Sequence, residues 1–171
     1  MSVRSARLFL PALLSLAVVF GAHPLLVGQS RGQSGGPGEK VLLGTWRLDL
    51  AKSKYFPGPA PRSESRIYTA DRDGVRGVIN RVHADGHTEV IEYRANYDHE
   101  QAVTGTPAYD AITLKRIDDY TSESVLSHAG MVYGTAKRAI SPDGNTMTIA
   151  FERKTTGETV RNVAVYRREP N

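Results

Sequence analysis

The sequence predicts an all-β protein, an antiparallel up-and-down β-barrel of about 8–10 strands over residues 41–171. Three observations carry that expectation. Beyond residue 62 the apolar side chains alternate with a period of two, and no helical period survives two turns. Turn signals recur there at intervals of about 10–14 residues, the cadence of a barrel or a sandwich. The strands between them follow in hairpin order with no long crossover. Closure removes the edges that a cysteine-free sheet would otherwise expose, which favours the barrel over its alternative, a β-sandwich.

A chain of 171 residues is long enough for one domain with a real core. Its net charge of +4 is concentrated at the N-terminus. Arg4, Arg7 and Arg31 lie among the first 33 residues, where no acid occurs, and without them 19 basic residues face 18 acidic ones. No Lys/Arg run able to follow a phosphate backbone remains, so no nucleic-acid partner is expected.

Residues 1–28 read as a signal peptide, with Arg4 and Arg7 as its charged region and Leu8–Phe20 as its apolar run. Small residues follow at Gly21, Ala22 and Gly28. The run is broken by Pro11 and ended by His23-Pro24, short of the roughly 20 residues a membrane-spanning helix needs. No membrane span is expected after processing, and the protein is expected in the periplasm or outside the cell. The absence of cysteine excludes a lipid-anchored lipoprotein and any disulfide, so packing alone must hold the fold.

Residues 29–40, rich in Gly, Ser and Gln, bury too little to offset their ordering entropy and read as a flexible linker. A first strand is predicted over Val41–Leu48, with Asp49 capping a short helical turn, Leu50–Lys54. The prolines of Phe56–Pro61 end that turn. Further strands are predicted over Glu64–Thr69, Val75–His83, His87–Tyr97, Gln101–Thr104 and Asp110–Ile117. The remainder are Tyr120–Ser127, Met131–Ile140, Thr146–Arg153 and Glu158–Arg167. Asp73-Gly74 and Asp85-Gly86 are strong hairpin signals, because the turn residues must take positive φ.

Leu43-Gly44-Thr45-Trp46 on the first strand and Val163–Arg168 on the last, joined by a hairpin meander, resemble the lipocalin-like proteins of the calycin group over residues 41–168. The segment Leu50–Pro61 resembles that of uncharacterised exported bacterial proteins of this kind. The resemblance implies that Trp46 plugs the closed end of the barrel and that Arg167 or Arg168 stacks on it. The chain lacks a second lipocalin motif of the Thr-Asp-Tyr type beyond Asp118-Asp119-Tyr120, and it lacks a C-terminal helix.

Few residues suggest chemistry. With Asp85-Gly86 as a two-residue loop, His83 would face Thr88 and Ala84 would face His87, placing the imidazoles on opposite faces and excluding a shared metal. No metal-binding, phosphate-loop or nucleophile-elbow motif occurs, and Ser122, Ser124 and Ser127 read as sheet or surface residues. No cofactor is expected and no catalytic constellation is visible, so a non-enzymatic role leads. Between Val90 and Tyr97 the alternation sets Ile91, Tyr93, Ala95 and Tyr97 inward with Glu89, and Glu92 and Arg94 outward. Met131, Tyr133 and Thr135 share a face of a later strand, and Met147, Ile149 and Phe151 share a face of the next. A lumen so lined would bind a small, largely apolar molecule through Glu89, Ile91, Tyr93, Tyr97 and Tyr133. The alternative is an envelope interaction or inhibitor module using the loops Phe56–Pro61 and Gln101–Pro107.

Overall fold

The computed structural model describes residues 37–72 and 74–170. The expected signal peptide, and the expected linker as far as residue 36, lie outside the described residues. Eleven strands form one antiparallel sheet: β1 (Gly44–Leu48), β2 (Lys54–Phe56), β3 (Ser63–Asp71), β4 (Gly74–Val82), β5 (Thr88–Ala95), β6 (Glu100–Thr104), β7 (Ala111–Arg116), β8 (Thr121–His128), β9 (Met131–Ile140), β10 (Thr146–Thr155) and β11 (Glu158–Arg168). β3 through β11 pair in order, and β1 joins β3 on one side and β11 on the other. β1 and β3–β11 therefore close a ten-stranded barrel. No helix among the described residues is long and apolar enough to cross a membrane.

The chain enters the barrel differently from the strand expected over Val41–Leu48. Val41 and Leu42 end a short helix, α1 (Pro37–Leu42), and extended structure begins at Gly44. Proline suits the first helical position, where its missing N–H costs nothing. The last carbonyls of a helix have no partner within it, and here they are met from the barrel. Trp46 Nε1 donates to the Leu42 carbonyl at 2.8 Å. Arg168 donates from its two terminal nitrogens to the Val41 and Leu43 carbonyls, and from Nε to that of Gly144 at 2.6 Å. Trp46 is fully buried in a core that includes Leu42, Tyr68, Val75, Ile91 and Met147.

The turn after β1 is a single 3-10 turn, Leu50–Lys52. Asp49 precedes it without capping it; its buried carboxylate instead approaches Arg167 Nε at 3.0 Å. Beyond the turn β2 returns to β11, so β1 and β2 flank the same strand at Tyr166–Arg168 and Arg161–Val163. Between them the Asp49 amide donates to the Val165 carbonyl at 2.7 Å. The Val165 amide donates to Ser53 Oγ at 3.0 Å, and that hydroxyl donates to the Asp49 carbonyl at 2.7 Å. A serine hydroxyl thus completes the ladder across a broken strand.

Two local irregularities re-aim side chains. Val82 pairs with Thr88, and the His83 amide donates to the His87 carbonyl at 2.9 Å. The loop is therefore the three residues Ala84-Asp85-Gly86, with Gly86 at φ +98°, where a glycine is favoured. This corrects the opposed-face reading: His83 and His87 stand opposite each other, their rings stacked at 3.9 Å. On β9, Ser127 pairs with Val132 but Leu126 pairs with Gly134. Tyr133 is the extra residue of a bulge. The face expected to hold Met131, Tyr133 and Thr135 is broken accordingly: Met131 and Thr135 are exposed, while Tyr133 turns in with Ala136 and Arg138.

Candidate ligand-binding lumen

Inward-facing residues of the strands enclose a cavity of about 540 Å³. Strand alternation places Glu64, Arg66 and Tyr68 of β3 on that inner face, with Ile79 and Arg81 of β4 beside them. β5 adds Glu89 and Tyr93, β8 adds Ser122 and Ser124, and β9 adds Arg138. Ile149, Phe151 and Arg153 of β10 and Tyr166 of β11 complete much of the wall. The expected lumen was apolar with a few polar handles; the observed one is lined by four arginines and two glutamates, with the rim carboxylate Asp85 paired to His87. Ser122 and Ser124, expected in the sheet or at the surface, face this cavity, and Ser122 is buried.

Most of these charges satisfy one another. Glu64 accepts from Arg66 Nε at 2.7 Å, from Arg81 Nε at 2.7 Å and from the Tyr166 hydroxyl at 2.6 Å. Burial alone would raise its pKa, but the two guanidiniums and the phenol outweigh it and hold the carboxyl at about 2. Arg81 also reaches Glu89 at 3.1 Å, and His83 Nε2 lies 3.1 Å from the same Glu89 oxygen. Glu89 is thus an occupied acceptor. Desolvation opposes its ionisation, but hydrogen bonds from Thr106 and His83 and the charge of Arg81 leave its pKa lowered. Arg153 lies 3.6 Å from Glu158 and over the Tyr133 ring, 5.0 Å from its centroid.

Arg138 is different. Among the described residues no carboxylate pairs with it; its guanidinium donates to the Tyr97 hydroxyl at 3.4 Å and lies 5.6 Å from the Tyr68 ring centroid. Its cross-strand neighbours are Ser122 and Ile149. The Tyr93 hydroxyl is 3.5 Å from that of Tyr68, and both rings are buried. Burial pushes both phenols up, but Arg66 and Arg138 pull Tyr68 below its ordinary value, while Tyr93, beside Tyr68, stays well above. A phenol that ionises early in a buried site reports a positive potential there. That potential lies near the apolar side chains of Ile79, Leu114 and Ile149.

The wall further from Trp46 is aromatic. Tyr109 and Tyr133 have ring centroids 5.7 Å apart, and Tyr133 and Phe151 are 6.3 Å apart, each pair inclined by about 35°. Two glycines make room for rings. A Cβ at Gly77 would stand 2.7 Å from Tyr93 Cζ, and one at Gly134 would stand 2.7 Å from Phe151 Cε2. The rings lie against bare backbone rather than across the cavity.

Of the residues expected to bind ligand, Glu89, Tyr93 and Tyr133 line the lumen together. Ile91 is fully buried in the surrounding core, and Tyr97 stacks with Arg116 at 4.6 Å, outside the cavity lining. Sequence reasoning missed Glu64, Arg66, Arg81 and Arg138, because alternation was scored on apolar residues and charges were assigned to water. The usable signal was Ser63-Glu64-Ser65-Arg66-Ile67-Tyr68, where Glu64, Arg66 and Tyr68 share a phase.

These features define a closed antiparallel ten-stranded barrel with an ionic, aromatic-walled lumen. No protein-family model matches the chain, and no curated protein matches it.

Proposed function

We propose that this is a lipocalin-like carrier or sensor whose lumen binds a small amphipathic organic anion, a carboxylate with an apolar body. Arg138 is the observation that carries the reading: a guanidinium without a carboxylate partner among the described residues, inside a cavity of about 540 Å³. A charge removed from water is costly unless it is paired, so an anion entering the site supplies what the protein does not. Tyr68, Tyr93 and Ser122 stand beside it as hydroxyl donors, and the apolar side chains of the wall take the body. The volume falls in the range typical of small-molecule sites. The apolar ligand expected from sequence thereby gains an acid group.

The competing interaction-module reading, which uses the loop Phe56–Pro61, would be favoured by an exposed apolar patch around Tyr55-Phe56. Tyr55 turns into the lumen and leaves Phe56 exposed without it, so support for that reading is weaker. The proposed compartment is periplasmic or extracellular, supported by the composition of residues 1–28. The test is calorimetric titration with a medium-chain carboxylate and the alcohol of the same chain, in wild type and Arg138→Met. The acid should bind wild type and lose about tenfold or more in the variant, as loss of a charged hydrogen-bond donor implies. The alcohol should be indifferent. Equal affinity for acid and alcohol in wild type would overturn the reading.

A further inference from the structure

Resting on that reading, we infer that the body of the anion is an aryl group, carried on a short spacer from the acid. Two regions of one wall set the arrangement. Arg138 on β9 is paired with Ile149 on β10, and Ala136 with Phe151, so Phe151 lies one inward position, about 7 Å, further from the Trp46 end than Arg138. From Phe151 the aromatic band continues through Tyr133 to Tyr109. All three rings are only partly buried and all three border the cavity, whereas Tyr68, Tyr93 and Tyr166 near the ions are buried.

The band is built at a cost in regularity. Tyr133 reaches the lumen only because the β9 bulge inserts one residue, and Phe151 lies beside the cavity only because position 134 is glycine. An aliphatic tail has no use for this geometry; Leu or Ile on an unbroken strand would serve it as well. Inclined rings with centroids 5.7–6.3 Å apart offer faces and edges to a further ring in the offset or edge-on arrangements that aromatic pairs prefer. Arg153 over Tyr133 is already paired with Glu158, so it does not compete with Arg138 for the acid. The structure thus assigns an acid subsite at Arg138 and an aryl subsite at Phe151–Tyr133–Tyr109.

The experiment compares phenylpentanoate with undecanoate, acids of equal carbon count, by calorimetry on the folded protein. Wild type should hold the aryl acid about tenfold more tightly, as contact with two rings implies. The preference should vanish in Tyr133→Leu and in Phe151→Leu, the loss falling mainly on phenylpentanoate, two variants guarding against a folding defect in either. Equal binding of the two acids by wild type overturns the aryl assignment and leaves the anion reading standing. Failure of both acids to bind correctly folded wild type overturns both.

Discussion

Arg168 lies directly across the β1–β11 pairing from Trp46, with its guanidinium carbon 4.2 Å from the indole centroid. This resolves the choice between Arg167 and Arg168. Alternation points Arg168 inward with Tyr166 and Ala164, while Arg167 points out to Asp49. One guanidinium thus stacks on the buried ring and ties down both α1 and the β9–β10 turn.

The pair should be energetically coupled. Trp46→Ala is expected to cost about 3–5 kcal/mol, as loss of a buried aromatic does. Arg168→Ala leaves buried carbonyls without donors and should cost about 2 kcal/mol or more. Urea unfolding of both single variants and the double variant should give an interaction energy of at least about 0.5 kcal/mol. Strict additivity would show that stacking contributes nothing.

Glu64 makes the fold acid-sensitive. Its pKa is lowered in the folded protein to about 2 from the ordinary 4.5 of a glutamate, so its stabilisation is complete above about 4.5 and is lost as pH falls toward 2. The displacement corresponds to about 3 kcal/mol. Stability measured by denaturant titration between about pH 5 and pH 2 should fall more steeply in wild type than in Glu64→Gln. Parallel curves would show that Glu64 is not held by Arg66 and Arg81.

Tyr68 offers a spectroscopic reading of the site. One tyrosine should ionise ahead of the others as pH rises, and that transition should disappear in Tyr68→Phe. A carboxylate bound at Arg138 disfavours the phenolate and should move the transition upward. By linkage, carboxylate affinity should decline as pH rises through the Tyr68 pKa. A tyrosinate absorbance titration unchanged by saturating ligand would place the anion elsewhere.

Gly77→Ala tests the ring slot without a backbone complication, since no left-handed φ is required there. Its Cβ would meet Tyr93 Cζ at 2.7 Å, so the ring must give way. The expected cost is about 1–3 kcal/mol from overpacking, with weakened carboxylate binding. Thermal unfolding and the same calorimetric titration report both; wild-type values in each would show that Tyr93 does not depend on the glycine.

The barrel was readable because its signals are local. Ala129 and Gly130, for example, both take positive φ in the turn between the strands expected over Tyr120–Ser127 and Met131–Ile140. The stack of an arginine on Trp46 was readable through the resemblance, which implied a tryptophan on the first strand and an arginine on the last as partners. The lumen was readable only in part. Tyr93 and Glu89 followed from the alternation of β5, but the inner face of β3 carries charge while Ile67 takes the other phase. Burying Glu64 and Arg66 becomes reasonable only once Arg81 and Tyr166, from distant strands, are known to meet them. The histidine stack and the parting of Tyr133 from Met131 and Thr135 depended on one inserted residue in a turn and in a strand. A period-two reading has no means of registering an insertion.

The interruption after β1 divides the wall of the barrel into halves that answer to different demands. At Tyr166–Arg168 the last strand is held by β1, itself laddered to β3, while at Arg161–Val163 it meets β2, which among the described residues has no ladder to β3. Unzipping β2 therefore disrupts three register pairs and leaves the seal around Trp46 intact. The wall can therefore yield beside β2 without loosening around Trp46, because between the two only the Asp49 amide and the Ser53 hydroxyl hold the last strand. Hydrogen exchange at Arg161–Val163 should accordingly outpace that at Tyr166–Arg168.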